Sequence, residues 1–178
     1  KPSSAASDVY KRQVDNSSVT PRALTIASGS GNVTLTGAVG GGANGPLGAI
    51  VVNSTGATAF SSAVTAASVT TNAGGTVSLG GNVTTTGNQT YNDAMVLTGN
   101  VVLNAPAVTT ASTIAAGSYN LTITTDAVSL GSNLTGTGAL VIQPKTASTT
   151  VAVGSSAAGT LALSDTALTY INDHFSSI

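Results

Sequence analysis

One short unit occurs twice between Leu47 and Val83, and it limits the folds open to this chain more than any other feature. The run Leu47–Val64 overlies Ala66–Val83 without a gap. It matches Ile50 with Val69, Asn53 with Asn72, Gly56 with Gly75, Phe60 with Leu79 and Val64 with Val83, each pair 19 residues apart. A strand–turn–strand unit of that size cannot bury its apolar face alone. It must stack on its neighbours, which is how a solenoid is built.

The same grammar extends along the chain. Apolar pairs separated by one residue recur as Leu24/Ile26, Val33/Leu35, Ile50/Val52, Val77/Leu79, Val101/Leu103, Leu121/Ile123, Val128/Leu130, Leu140/Ile142, Val151/Val153 and Leu161/Leu163, with Thr, Ser, Ala or Val between them. This is the period-2 signature of short strands with one face inward. Runs rich in Gly, Asn and Ser, such as Gly40–Pro46 and Asn72–Gly75, separate the pairs and read as turns. A second pattern, Gly-x3-Φ-x3-Φ, appears at Gly31/Leu35/Val39, Gly56/Phe60/Val64, Gly75/Leu79/Val83 and Gly87/Tyr91/Met95, with glycines 25, 19 and 12 residues apart. Unequal spacing disfavours the short fixed repeats of hexapeptide helices and calcium-binding rolls. It predicts an all-β chain over residues 23–163: a right-handed parallel β-helix, that is, a β-solenoid with irregular rungs of about 20 residues.

Composition agrees with that expectation. Only 6% of residues are charged, against about 25% in an ordinary soluble domain. Residues 23–92 carry no charge at all, and Thr, Ser and Asn supply the polarity instead. The mean hydropathy of +0.32 is too high for a disordered chain. No apolar run approaches the ~18–20 residues of a membrane-spanning helix, and the aromatic girdles of a membrane barrel are missing. The net charge of −1 gives no footprint for nucleic acid or anionic lipid. With no cysteine there is neither a disulfide scaffold nor a thiolate metal site.

The two ends differ from the middle. Residues 3–13 carry three of the eleven charges (Asp8, Lys11 and Arg12) and none of the alternation that follows. This run resembles the in-frame translation of a transposase adaptor used in preparing sequencing libraries. Residues 1–13 are therefore expected to be non-native and set apart from fold reasoning, and the authentic chain reads as a metagenomic fragment. Residues 14–22 read as a linker, with Pro21 disfavouring helix before it. At the other end, Ser164 or Asp165 can cap a short helical segment over 164–175 that places Leu168, Ile171 and Phe175 on one face. Residues 176–178 look like the start of a further strand.

Leu47–Val83, Thr84–Ala94 and Leu161–Ile178 together resemble the large repetitive surface proteins of bacteria related to filamentous haemagglutinin, which are secreted by the autotransporter or two-partner routes. The resemblance implies a right-handed β-helix, export to the bacterial cell surface or beyond, and an adhesive or structural role. It also implies partners among host or neighbouring-cell glycans or proteins, with further rungs of the same chain at both ends.

Chemistry-bearing residues are sparse. His174 is the only histidine, beside Asp173 and ten residues from Ser164. A Ser/His/Asp device needs a base aimed at the nucleophile and oriented by an acid, whereas neighbours in one short helix point apart. Asp93, Asp126, Asp165 and Asp173 are scattered, and no Glu accompanies them. A carbohydrate-active β-helix, which would need clustered carboxylates, is the alternative from another class. Asn92-Asp93 and Asn172-Asp173 lack the spacing of a calcium loop and read as turn formers. Gly40–Pro46 lacks the Lys and the helix of a phosphate loop. Asn-x-Ser/Thr at Asn16, Asn32, Asn53, Asn82, Asn88, Asn120 and Asn133 follows from composition. A third reading, ice binding by outward threonines, finds local support at Thr34/Thr36 and Thr122/Thr124. The sequence thus predicts a non-catalytic segment with no catalytic, cofactor or metal residues.

Overall fold

The computed structural model describes residues 9–11 (by backbone alone), 13–17, 19–154, 159–172 and 174–178. In chain order the strands are β1 (Val9–Lys11), β2 (Leu24–Gly29), β3 (Val33–Leu35), β4 (Leu47–Ser54), β5 (Ala57–Phe60), β6 (Val64–Thr71), β7 (Thr76–Leu79), β8 (Val83–Thr85), β9 (Gln89–Tyr91) and β10 (Ala94–Leu97). There follow β11 (Val101–Asn104), β12 (Ala107–Thr110), β13 (Ile114–Gly117), β14 (Leu121–Thr124), β15 (Ala127–Leu130), β16 (Leu134–Gly136), β17 (Leu140–Gln143), β18 (Val151–Val153) and β19 (Leu161–Leu163), then one helix, α1 (Asp165–Tyr170). Every strand pairing is parallel, and partners are one coil apart. The chain is a β-solenoid of about five turns with a short helix near its C-terminus.

Three faces enclose the interior. The first is a seven-stranded sheet in the order β1-β3-β5-β7-β10-β13-β16. The other two belong to a ten-stranded sheet that forks at β6, whose first half pairs with β8 and whose second half pairs with β9. Burial along β6 explains the fork. Inward alternation slips between Ala66 and Val69, where Ala67 and Ser68 are both half-buried, so the strand turns a corner without breaking. From the next coil on, that corner is a turn, and the second face (β8, β11, β14, β17) separates from the third (β9, β12, β15).

The duplicated unit is one pair of coils. Ile50 lies against Val69, Phe60 against Leu79 and Val64 against Val83, as the 19-residue offset requires. On the first face Leu35 pairs with Phe60, Phe60 with Leu79 and Leu79 with Leu97, so successive coils take 25, 19 and 18 residues. The extra length of the first coil is the Gly40–Pro46 excursion, which turns on the Gly45 N–H to Gly42 carbonyl bond of 3.0 Å. The fourth Gly-x3-Φ-x3-Φ match differs from the other three. Tyr91 pairs with Thr71 on the third face, so Gly87/Tyr91/Met95 straddles a corner and its 12-residue spacing is not a coil.

Inward residues form continuous columns. On the second face one column runs Val14, Val39, Val64, Val83, Leu103, Ile123, Ile142. With strands about 4.8 Å apart, each side chain touches its counterparts above and below, and β-branched residues suit that surface. Column members such as Val33, Ile50, Leu79, Leu103, Ile123 and Leu140 are almost wholly excluded from water. Corners are held by side-chain amides acting between coils. Asn32 Oδ1 accepts from Ala57 N–H at 2.8 Å, Asn82 from Val102 at 2.9 Å, Asn100 from Asn120 at 2.9 Å and Asn120 from Ala139 at 2.8 Å.

The ends are less regular. Val9–Lys11, within the run read as adaptor-derived, pairs in parallel with Val33–Leu35; such pairing uses backbone groups and makes little demand on sequence. In the stretch read as a linker, Val14 bridges to Val39, and Asn16 is buried with its amide against the Gly45 and Pro46 carbonyls. The C-terminal helix is shorter than its spacing suggests. Ser164 caps it, its Oγ accepting from Ala167 N–H at 3.2 Å, but Ile171 is already extended and bridges to Leu134. Ala167, not Leu168, is the buried helix residue, and Phe175 packs into the core from beyond the helix. Ser177 bridges in parallel to Ala139, so the tail runs alongside the last coil in the same sense.

Stacked glycines test the coil geometry. A Cβ on Gly75 would sit 2.4 Å from the Gly56 carbonyl oxygen, whereas one on Gly41 would meet only the Ala38 methyl at 4.0 Å. Gly75→Ala is expected to destabilise by more than about 1 kcal/mol in urea denaturation, with Gly41→Ala within about 0.5 kcal/mol of the parent.

Candidate functional site

The residues singled out for chemistry lie apart. Asp93 occupies the corner between the third and first faces, where earlier coils carry Gly56 and Gly75. It is 2% exposed; its Oδ1 accepts from Gly75 N–H at 2.8 Å, and its Oδ2 has no partner among the described residues. Asn92 is a corner former, its amide donating to the Thr71 carbonyl at 2.7 Å. Asp165 opens α1, Ser164 is committed to its cap, and His174 is exposed in the turn that follows Ile171. Asp173 lies outside the described residues. Among the described residues no three His, Cys, Asp or Glu side chains group as a metal site would require.

Asp126, on the corner leading into β15, has a structural task. Thr146 donates to it through Oγ1 at 2.6 Å and through its N–H at 2.8 Å, Thr149 Oγ1 donates at 2.7 Å, and Lys145 N–H at 3.0 Å. These bonds, the Thr146 hydroxyl first, hold the carboxyl down to about 2 from its ordinary 3.8. The anion therefore pins the 145–149 loop against the corner.

A buried polar cluster sits where the second and third faces separate. Gln89 is fully buried, and its amide donates to the Val83 carbonyl at 2.9 Å, the Asn104 carbonyl at 3.2 Å and Thr85 Oγ1 at 3.3 Å. Tyr91 OH donates to Gln89 Oε1 at 3.2 Å. Burial pushes the Tyr91 phenol far above its ordinary range. Gln89 takes the place in its column that Val69 and Val108 hold on either side. It ties together strand ends that the fork has parted.

The feature with the widest reach is on the outside of the third face. Register aligns Thr25, Val51, Thr70, Thr90, Thr109 and Ser129 in one outward row, five hydroxyls in six positions. The third-face strands carry no charged residue. The first face presents a mixed row of Thr34, Ala59, Ser78, Val96, Ala115 and Thr135. Thr34 and Thr122/Thr124 lie on different faces, so the two local matches noted in the sequence do not combine. Three of the six, Thr25, Val51 and Ser129, are middle residues of Φ-x-Φ pairs, whereas Thr70, Thr90 and Thr109 have no such pair around them, and only coil register puts the six side by side. Among the described residues no helix is long and apolar enough to cross a membrane. Comparison with protein-family models, curated proteins and solved structures yields no match.

Two outcomes are expected. Tyr91→Phe leaves Gln89 Oε1 without a donor and should cost about 1–3 kcal/mol by denaturant titration. Because Asp126 is depressed in the folded chain, its contribution is complete above pH 3.8, declines as pH falls and is gone below about 2. Protection of the Lys145 and Thr146 amides, relative to their intrinsic exchange at each pH, should fall across that window and should already be low at neutral pH in Asp126→Asn.

Proposed function

We propose that this chain is a non-catalytic structural and adhesive segment of a secreted bacterial surface protein, with the third face as its contact surface. The observation that carries the reading is the outward row on that face: uncharged, with a small hydroxyl side chain at five of its six positions, on a scaffold whose strands brace one another. Such a surface offers methyl and hydroxyl contacts at a regular spacing of about 4.8 Å. It suits an extended hydrated partner, such as a surface glycan, better than a small ligand, which calls for a concave pocket. The resemblance of Leu47–Val83 and Leu161–Ile178 to filamentous haemagglutinin-like proteins supports secretion and a cell-surface location. The wide separation of Asp93 and Asp126 weighs against a carboxylate pair for glycoside cleavage.

Labelled protein applied to immobilised mucin, cellulose and fixed epithelial cells tests this. Retention is expected on at least one surface and should fall about tenfold or more in a Thr70→Lys/Thr90→Lys variant of unchanged thermal midpoint. Retention by none of them contradicts the adhesive role, and release of reducing sugar contradicts the non-catalytic one.

The same row favours a second reading, in which the hydroxyls order water and bind ice. Thermal hysteresis in the parent, abolished by Thr90→Lys, would establish it; its absence removes it.

A further inference from the structure

The Gly40–Pro46 excursion lies outside the strand ladder, and it carries a chemistry that the strands suppress. Asn44 is the only asparagine in the chain that precedes a glycine. An asparagine amide is open to attack by the backbone nitrogen of the next residue, and glycine there brings no side chain and turns freely. Elsewhere the fold blocks that attack. Val33, Val83, Val101, Leu121 and Leu134, which follow Asn32, Asn82, Asn100, Asn120 and Asn133, each open a strand and are buried. Their nitrogens belong to the ladder: Val101 N–H donates to the Asn120 carbonyl at 3.0 Å and Leu121 N–H to the Ala139 carbonyl at 2.9 Å.

Asn44 is exposed, and a Cβ on Gly45 would meet nothing within 4 Å. One bond restrains each reacting group. Gly45 N–H donates to the Gly42 carbonyl at 3.0 Å, and Asn44 Nδ2 donates to the Asn16 carbonyl at 2.9 Å. The second bond is also a fastener. With Asp15 Oδ1 accepting from Gly42 N–H at 2.9 Å, it ties residues 14–16 to the excursion. A carboxylate at position 44 would set an acceptor against the Asn16 carbonyl, leaving that bond unmade. It would also be the first charge in residues 23–92.

We propose that Asn44 is a self-modifying site whose conversion unfastens residues 14–16 from the excursion. The Gly45 nitrogen gives its proton to solvent base and bonds to Asn44 Cγ. The Cγ–Nδ2 bond then breaks, and ammonia leaves with a proton from water. Water opens the resulting succinimide at either carbonyl, giving aspartate or isoaspartate.

Incubation of the full chain in mildly alkaline buffer tests this. Mass spectrometry with fragmentation should find a gain of one mass unit at Asn44 ahead of every other asparagine. Isoelectric focusing should show one added negative charge, acquired faster as pH rises. Asn44→Gln should acquire neither on the same timescale. Asn44→Asp supplies the charge at once; it should lower amide protection at Val14 and Gly40, whose N–H groups bond to the Ala38 and Val14 carbonyls, and leave Gly80 as in the parent. A chain that keeps its mass, or that deamidates first elsewhere, overturns the site. Equal protection of Val14 and Gly40 in Asn44→Asp and the parent overturns the unfastening.

Discussion

Parallel backbone pairing between one coil and the next is the interaction on which the structure depends. It places residues of equal rank in successive coils side by side, so any apolar position, once established, is repeated as a column. The fold then needs no dominant core residue. Val39, Val64 and Val83 contribute by contact with one another, and stability accumulates over neighbouring coils. A coil can vary in length provided its strands return to register, as the Gly40–Pro46 excursion does before Leu47 pairs with Ala66.

The same constraint explains a folded chain with so little charge. Within a face, parallel pairing satisfies most backbone groups, and the remainder collect at corners. There Asn32, Asn82, Asn100 and Asn120 accept N–H groups from the following coil, and glycines allow carbonyls to approach where a Cβ would collide. Neutral amides and hydroxyls of this kind avoid the desolvation that buried ions would suffer. Asp93 is the exception, an acidic side chain set into a corner that elsewhere holds glycine, where its Oδ1 accepts from the Gly75 N–H.

Much of the architecture was legible because it is local. Alternation marked the strands, and the Ile50/Val69 offset gave a register that the coils obey. Features that depend on register across unequal coils were not legible. The outward row from Thr25 to Ser129 is invisible without knowing that the intervals between its members differ. Gln89 is hidden in the sequence because a polar residue in an inward column breaks the apolar alternation that marks such columns. Tyr91 belongs to the third face although Gly87, four residues before it, mimics the glycine that begins a coil. At the C-terminus, helical spacing through Phe175 overran a chain that leaves the helix at Ile171 to pair with Leu134.

The chain has no cysteine, so spin labels can be placed in pairs at will, and the outward third-face row provides sites that leave the core untouched. With one label at position 25 and the other at 70, 90, 109 or 129, stacked parallel coils predict separations of about 10, 14, 19 and 24 Å between attachment points, increasing by one strand spacing per coil. Separations that level off or reverse along that series, as in a sandwich of antiparallel hairpins, would contradict the account.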